Sequence, residues 1–389
     1  MTALVTRNEM FDGRDWPAAP AEVLAFHRRL PAYAPTLVID APTLAASLGV
    51  GRVLVKAETQ RMGLPSFKIL GASWASYRAV CEHIGGEPSP WANINELAAS
   101  LAHLKPMTLA AATDGNHGRA VAFMARLLGF DAHILVPDGT SEARIAAIEG
   151  ESATVTVVDG TYDDAIEQSA EMAGDRCLVV SDTSWPGYET IPANVAEGYT
   201  TIFAEVDDAL AANGIGQPDL VAVPVGVGAF MAAAVTHYRS GKHRPVLVSV
   251  EPDDANCVQM STINGEITET PGPHRSIMVG LNCGVPSPLA WPMMASGVDW
   301  CVSVGSDAAG AAMSDLADSQ VVAGETGSAS LAGVRALLAD EQGSAALDDP
   351  ASATVLIMVT EGATDPANYE RIVGRPHGEV GRVLTAVVR

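Results

Sequence analysis

Short β-branched runs recur along the chain at intervals that leave room for a helix between many of them, and this alternation constrains the fold most. The runs are residues 53–55, 133–136, 154–158, 178–180, 220–223, 246–250 and 355–359. Each reads as a buried strand. Ala-rich segments with helical spacing, such as 119–128, 163–173 and 308–318, lie between them. Strands alternating with helices predict an α/β fold with mostly parallel sheets flanked by helices. Ligands in such folds sit beyond the carboxyl ends of strands, so chemistry is sought there.

At 389 residues, 48% hydrophobic and 18% charged, the chain has material for one large or two ordinary domains with filled cores. Lys plus Arg number 23 against 46 Asp plus Glu, a net charge of −23. A surface that acidic repels phosphate backbones and anionic headgroups, which disfavours nucleic-acid and membrane-surface roles. The stretch 221–235 is broken by Pro224 and two glycines and falls short of the roughly 20 apolar residues of a membrane span. The first 17 residues lack the apolar core of a secretory signal. Five cysteines without a CxxC pair suggest reduced thiols in a cytosol rather than a disulfide scaffold or zinc ribbon. The first 35 residues hold Trp16, Phe26 and Tyr33 among prolines with little periodicity, and read as an arm packed over the body or a partner subunit.

Four segments carry chemistry. In PSFKILGA (65–72), Lys68 stands at the front of a helical stretch with no charged neighbour until Arg78. An ammonium drawn into an apolar setting has a lowered pKa, which suits attack on a carbonyl to form a Schiff base. The plain alternative is a snorkelling surface lysine. In ATDGNHG (112–118), a strand, a turn and a helix start bring Thr113, Asn116 and several backbone N–H groups to one ligand. An ordinary Asx-capped helix start is the alternative there. His117 could serve as a metal ligand or base, but no second His lies at ligand spacing, so no metal is expected.

In PVGVGAF (224–230), Gly226 and Gly228 permit close backbone approach ahead of a helix N-terminus, which suits an anion. A dinucleotide site would need a third small residue where Met231 stands, although Glu251 ends a strand at a suitable distance; a single phosphate is the simpler ligand. In VLIMVTEGATDP (355–366), a buried strand ends at Thr360, whose hydroxyl suits a heteroaromatic nitrogen. A desolvatable lysine, an Asn-bearing turn, a phosphate-sized glycine loop and a late Thr fit one cofactor, pyridoxal 5′-phosphate.

Five segments, QRMGLPSFKILGA (60–72), ATDGNHGRAVA (112–122), SDTSWPGYETIP (181–192), GLNCGVPSPLAW (280–291) and TEGATDPANYERIV (360–373), carry a resemblance over about residues 56–373. The chain resembles the fold-type II pyridoxal-phosphate enzymes related to tryptophan synthase β subunit and threonine dehydratase, and within them the diaminopropionate ammonia-lyases. Threonine dehydratases have a Ser-Ala-Gly-Asn-His type turn where this chain has Thr113-Asp114-Gly115-Asn116-His117. Smaller departures from the ammonia-lyases are Pro65-Ser66 before Phe67, and Glu325-Thr326-Gly327.

The resemblance implies that Lys68 forms the Schiff base with the cofactor and that Asn116 contacts its 3′-oxygen. Gly226, Val227, Gly228 and Ala229 would cradle the phosphate, with Thr360 facing the pyridine nitrogen. A neutral Thr there leaves that nitrogen largely unprotonated, favouring β-elimination over transamination. The implied reaction is α,β-elimination of 2,3-diaminopropionate to pyruvate and ammonia. Thr113 and the turn amides would bind the substrate carboxylate, and Asp114 and Asp182 would transfer protons or hold the β-ammonium. If the two aspartates face opposite sides of the substrate, each could act on one enantiomer. For Asp182 the plain alternative is a helix N-cap before residues 183–188.

Two rival functions stand beside this one: a dehydratase or ammonia-lyase of the same fold acting on serine, threonine or another β-substituted amino acid, and a non-catalytic regulatory protein on the same fold. The resemblance further implies two α/β domains with the cofactor between them, a large one from residues 1–87 and 189–389 and a small inserted one from 88–188. A cytoplasmic homodimer is expected. Cys257 and Cys283 could form a labile disulfide or remain two buried thiols. Lys56 is expected to accept Arg with modest effect.

Overall fold

The computed structural model describes residues 3–113, 115–380 and 387–388; the side chains of Asp163 and of 387–388 lie outside the description. Its strands, in chain order, are β1 (Leu4–Arg7), β2 (Val38–Asp40), β3 (Arg52–Ala57), β4 (Thr108–Ala112), β5 (Asp131–Pro137), β6 (Thr154–Val158), β7 (Cys177–Val179), β8 (Leu220–Pro224), β9 (Val246–Pro252), β10 (Trp300–Val304), β11 (Thr354–Val359) and β12 (Val387–Val388). The chain divides into two compact units. One comprises Met1–Ala19, Pro35–Gln60 and Ile202–Arg389, the other Pro20–Ala34 and Arg61–Thr201.

The first unit is built on an eight-stranded sheet in the order β1-β10-β9-β8-β11-β3-β2-β12. Its middle is parallel, from β10 through β9, β8 and β11 to β3. The outer pairings of β1, β2 and β12 are antiparallel. Parallel strands covered on both faces read as unbroken apolar runs, which is why β8, β9 and β11 were legible as VAV-type and VLI-type segments. Their side chains, among them Leu220, Ala222, Val248, Val250, Val355 and Ile357, form one buried core with Leu331, Val334 and Leu337 of the helix Ala329–Ala339.

The second unit carries a four-stranded, wholly parallel sheet in the order β6-β5-β4-β7. Beside it lie the helices Lys68–His83 and Asn116–Leu128. The expected helices at 119–128, 163–173 and 308–318 appear as Asn116–Leu128, Tyr162–Glu171 and Ser306–Asp318. All of 88–188 falls inside the second unit. That unit also takes 20–34, 61–87 and 189–201, because the helices of those segments pack there: His27, from the helix Glu22–His27, is fully buried with Nδ1 2.7 Å from Thr201 Oγ1 and Nε2 2.9 Å from Leu70 O.

The N-terminal segment differs from the arm expected of it. Residues 4–7 pair antiparallel with β10, and Asn8 Nδ2 donates to the carbonyls of Ala295 and Val298. A strand so short has too few residues for its alternation to register, and its partner lies almost 300 residues away. No helix of the described residues is long and apolar enough to cross a membrane.

Candidate active site

Lys68 is the first residue of the helix Lys68–His83. Its Nζ lies 2.8 Å from Asp182 Oδ2, and the lysine side chain is 25% exposed. The sequence predicts an apolar setting for this amine; a carboxylate in fact faces it, supplied from 114 residues further along the chain. The helix is crossed closely by the helix Thr190–Ala212. A Cβ on Gly71 would lie 2.5 Å from Tyr199 Cε1, and one on Gly198 would lie 2.5 Å from Leu70 O. Tyr199 in turn packs its ring on Phe67, with centroids 4.6 Å apart.

Asp182 is not a helix N-cap, because residues 181–189 form turns rather than a helix. Its loop is anchored by Tyr188, whose hydroxyl donates to Val179 O and accepts from Ser181 N, and whose ring stacks on Trp185 at 4.0 Å. Burial alone would raise the Asp182 carboxyl. His117 and Lys68 overcome that and hold it well below the usual carboxylate range. His117 Nδ1 lies 3.8 Å from Asp182 Oδ2, while its Nε2 donates to Val180 O at 2.7 Å.

Thr113 is buried, and its Oγ1 accepts from Gly115 N at 2.9 Å and Gly118 N at 3.1 Å. The hydroxyl oxygen thus shapes the turn at the mouth of β4, while its O–H can still donate. Asn116 opens the helix Asn116–Leu128. Asp114 lies outside the described residues.

The first unit supplies a second set of residues. β8 and β11 are parallel neighbours with Ala222 opposite Ile357, so their carboxyl ends reach one edge of the sheet. Gly226, Val227 and Gly228 follow β8, and Ala229 begins the helix Ala229–Tyr238, whose N-terminus has no side-chain cap. A Cβ on Gly226 would sit 3.0 Å from Cys283 Sγ. Gly228 adopts φ +106, a conformation that L side chains avoid. This uncapped, glycine-lined turn suits a phosphate. Thr360, at the end of β11, is buried with an Oγ1 that has no hydrogen-bond partner among the described residues. An orphaned hydroxyl of that kind asks for an external polar atom. Both features fit pyridoxal phosphate: the turn would suit its phosphate and Thr360 its ring nitrogen.

Sequence reasoning missed the residues that position these groups. Tyr199 lies outside every quoted segment, and Tyr188, though inside 181–192, carries no expected role there. Thr326 could have been found in the segment 325–327: its Oγ1 accepts from Gly280 N, while its own N–H donates to Glu361 Oε1, beside Thr360. Cys257 and Cys283 are not joined in a disulfide, and burial pushes the Cys257 thiol up. Glu251 is fully buried, and its two oxygens accept from Val258 N and Gln259 N.

The pattern of the pyridoxal-phosphate dependent enzymes matches residues 29–361, and the chain belongs to that family. Its sheets and helices are those of fold type II. Within the family it is similar to the diaminopropionate ammonia-lyase of Escherichia coli strain K12, with 33% identity covering 95% of this chain and 96% of the relative. The diaminopropionate ammonia-lyase of Salmonella typhimurium is 32% identical, covering 90% and 91%. The crystal structure of the Escherichia coli enzyme in complex with an aminoacrylate-PLP azomethine reaction intermediate superposes with a TM-score of 0.86 at 30% identity, covering 96% of this chain and 97% of that one.

Proposed function

We propose that this chain catalyses the α,β-elimination of 2,3-diaminopropionate to pyruvate and ammonia with pyridoxal phosphate. The observation that carries the reading is the Lys68–Asp182 contact, which places an amine and an ionised, buried carboxylate within one hydrogen bond. The similarity to diaminopropionate ammonia-lyases along nearly the whole chain supports the substrate. When bound, the cofactor supplies an aldehyde for amines and a ring that withdraws electrons from the substrate Cα.

The chain's own residues do the rest. Lys68 would be the attachment point for the cofactor. Asp182, held ionised, accepts the Cα proton of one enantiomer, and Asp114 that of the other. Asn116 holds the 3′-oxygen. The N–H groups of the turn shaped by Thr113 bind the substrate carboxylate. Gly226, Val227, Gly228 and Ala229 hold the phosphate, and Thr360 donates to the ring nitrogen without protonating it. The protein works as a cytoplasmic homodimer: five cysteines outside any disulfide accord with a reducing compartment, and the dimer rests on the family likeness.

The test is a substrate panel assayed for pyruvate and 2-oxobutyrate. Pyruvate formed fastest from 2,3-diaminopropionate is the expected result. Faster turnover of serine or threonine would overturn the substrate, and no turnover with a normal cofactor absorbance would overturn the elimination.

A further inference from the structure

His117 does more than open a helix. Its ring is 3% exposed, and Nε2 donates to Val180 O at 2.7 Å. A carbonyl oxygen can only accept, so the proton of a neutral ring sits on Nε2. Nδ1 then has no hydrogen-bond partner among the described residues and points to Asp182 Oδ2 at 3.8 Å. A lone pair turned to a carboxylate repels it, whereas a proton on Nδ1 makes the same contact attractive.

Asp182 depends on such a partner. Its ammonium contact at 2.8 Å comes from Lys68, whose amine is committed elsewhere once it carries the cofactor. A buried carboxylate that loses its cation takes up a proton and stops being a base. The titratable groups that face Asp182 are Lys68, His117, Tyr188 and Tyr199, among the described residues. Burial lifts both phenols and keeps them neutral, so His117 alone of these can replace the missing charge.

We infer that His117 is a positioning residue for Asp182, supplying through Nδ1 the positive charge that Lys68 withdraws. The inference rests on the proposed role of Asp182 as the base for the L-enantiomer, and its reach is therefore enantiomer-specific. Two substitutions separate the two faces of the ring. His117→Gln keeps a donor for Val180 O but removes the group aimed at Asp182, and His117→Asn loses the donor to Val180 O while keeping a neutral N–H donor near the Nδ1 position.

The experiment measures kcat/KM for D- and L-diaminopropionate across pH with the holoenzyme. His117→Gln is expected to lower the L-value by about tenfold or more, short of the loss of a general base, with the D-value much less affected. The acid limb of its L-profile moves up by about one pH unit, because removing a cation makes Asp182 easier to protonate. His117→Asn recovers part of the L-activity. A second readout needs no turnover: in [13Cγ]aspartate-labelled apoprotein carrying Lys68→Met, with Asp182 assigned by Asp182→Asn, adding His117→Gln raises the Asp182 titration midpoint by about one unit. Equal loss on both enantiomers with an unmoved acid limb, or an unmoved 13Cγ midpoint, overturns the inference. An enzyme that ignores diaminopropionate overturns the proposed function instead, and the carbon titration then decides the role of His117 by itself.

Discussion

Two lysines near one another in sequence have opposite duties. Lys68 is partly exposed and reaches the carboxylate of Asp182. Lys56 is wholly buried, with Nζ 3.0 Å from Thr36 O and 2.7 Å from Glu205 Oε2, and Glu58 Oε1 at 3.7 Å. Lys68→Ala is expected to abolish both the cofactor absorbance near ~410–430 nm that borohydride removes and turnover, because the attachment amine is gone; retained turnover would refute its role. The modest effect expected of Lys56→Arg gives way to a different outcome. A guanidinium is larger than the site and cannot repeat the compact pairing, so urea unfolding should show a loss of about 1–3 kcal/mol. Asp182→Asn should cut L-diaminopropionate turnover more than D, by roughly 10²- to 10⁴-fold, and Asp114→Asn should do the opposite. Equal losses on both enantiomers would make these carboxylates organisers of the pocket. At the level of single residues it is position that was legible: Lys68, the glycine turn and Thr360 each sit at a strand end or helix start. The partner of Lys68 was not, since no local pattern relates residues 68 and 182.

Among the elements, the parallel strands were legible because burial on both faces leaves them continuously apolar. The helix Thr190–Ala212 was not read, although Val195, Tyr199, Ile202, Phe203, Val206 and Leu210 are all buried at helical spacing. Pro192, Gly198 and several β-branched residues lower its intrinsic propensity, so packing rather than propensity holds it. The outer strands β1 and β12 are short and find partners far away in sequence, and β2 has only three residues, which leaves no local mark. The crossing at Gly71 and Gly198 gives a sharp test. A methyl group at residue 198 would meet Leu70 O at 2.5 Å and Gly71 Cα at 2.8 Å, and backbone atoms cannot move aside cheaply. Gly198→Ala should cost about 1–3 kcal/mol in thermal or urea unfolding and reduce turnover by displacing the start of the Lys68 helix. An unchanged melting temperature would show that the crossing has slack.

For the whole molecule, pH acts on stability through a group that takes no part in the proposed chemistry. Glu251 ends β9 wholly buried; burial pushes its carboxyl up to about 8, against the pull of the Val258 and Gln259 N–H groups. The unfolded chain binds this proton with an ordinary carboxylate affinity near 4.5. A folded-state pKa above the unfolded one means that the native protein holds the extra proton across that window. The resulting stability is full below about pH 4.5 and is lost as pH rises through about 8. One proton corresponds to a slope of at most about 1.4 kcal/mol per pH unit. A net charge of −23 adds a general self-repulsion in the same direction, so the wild-type trend alone does not isolate Glu251. Glu251→Gln does: it keeps an oxygen to accept from the helix N–H groups but cannot titrate. Urea unfolding of the apoprotein between pH 5 and pH 8.5 should therefore show a shallower decline in the variant, with the two curves separating most across the middle of that window. Parallel curves would mean that Glu251 holds the same protonation state in both the folded and the unfolded chain.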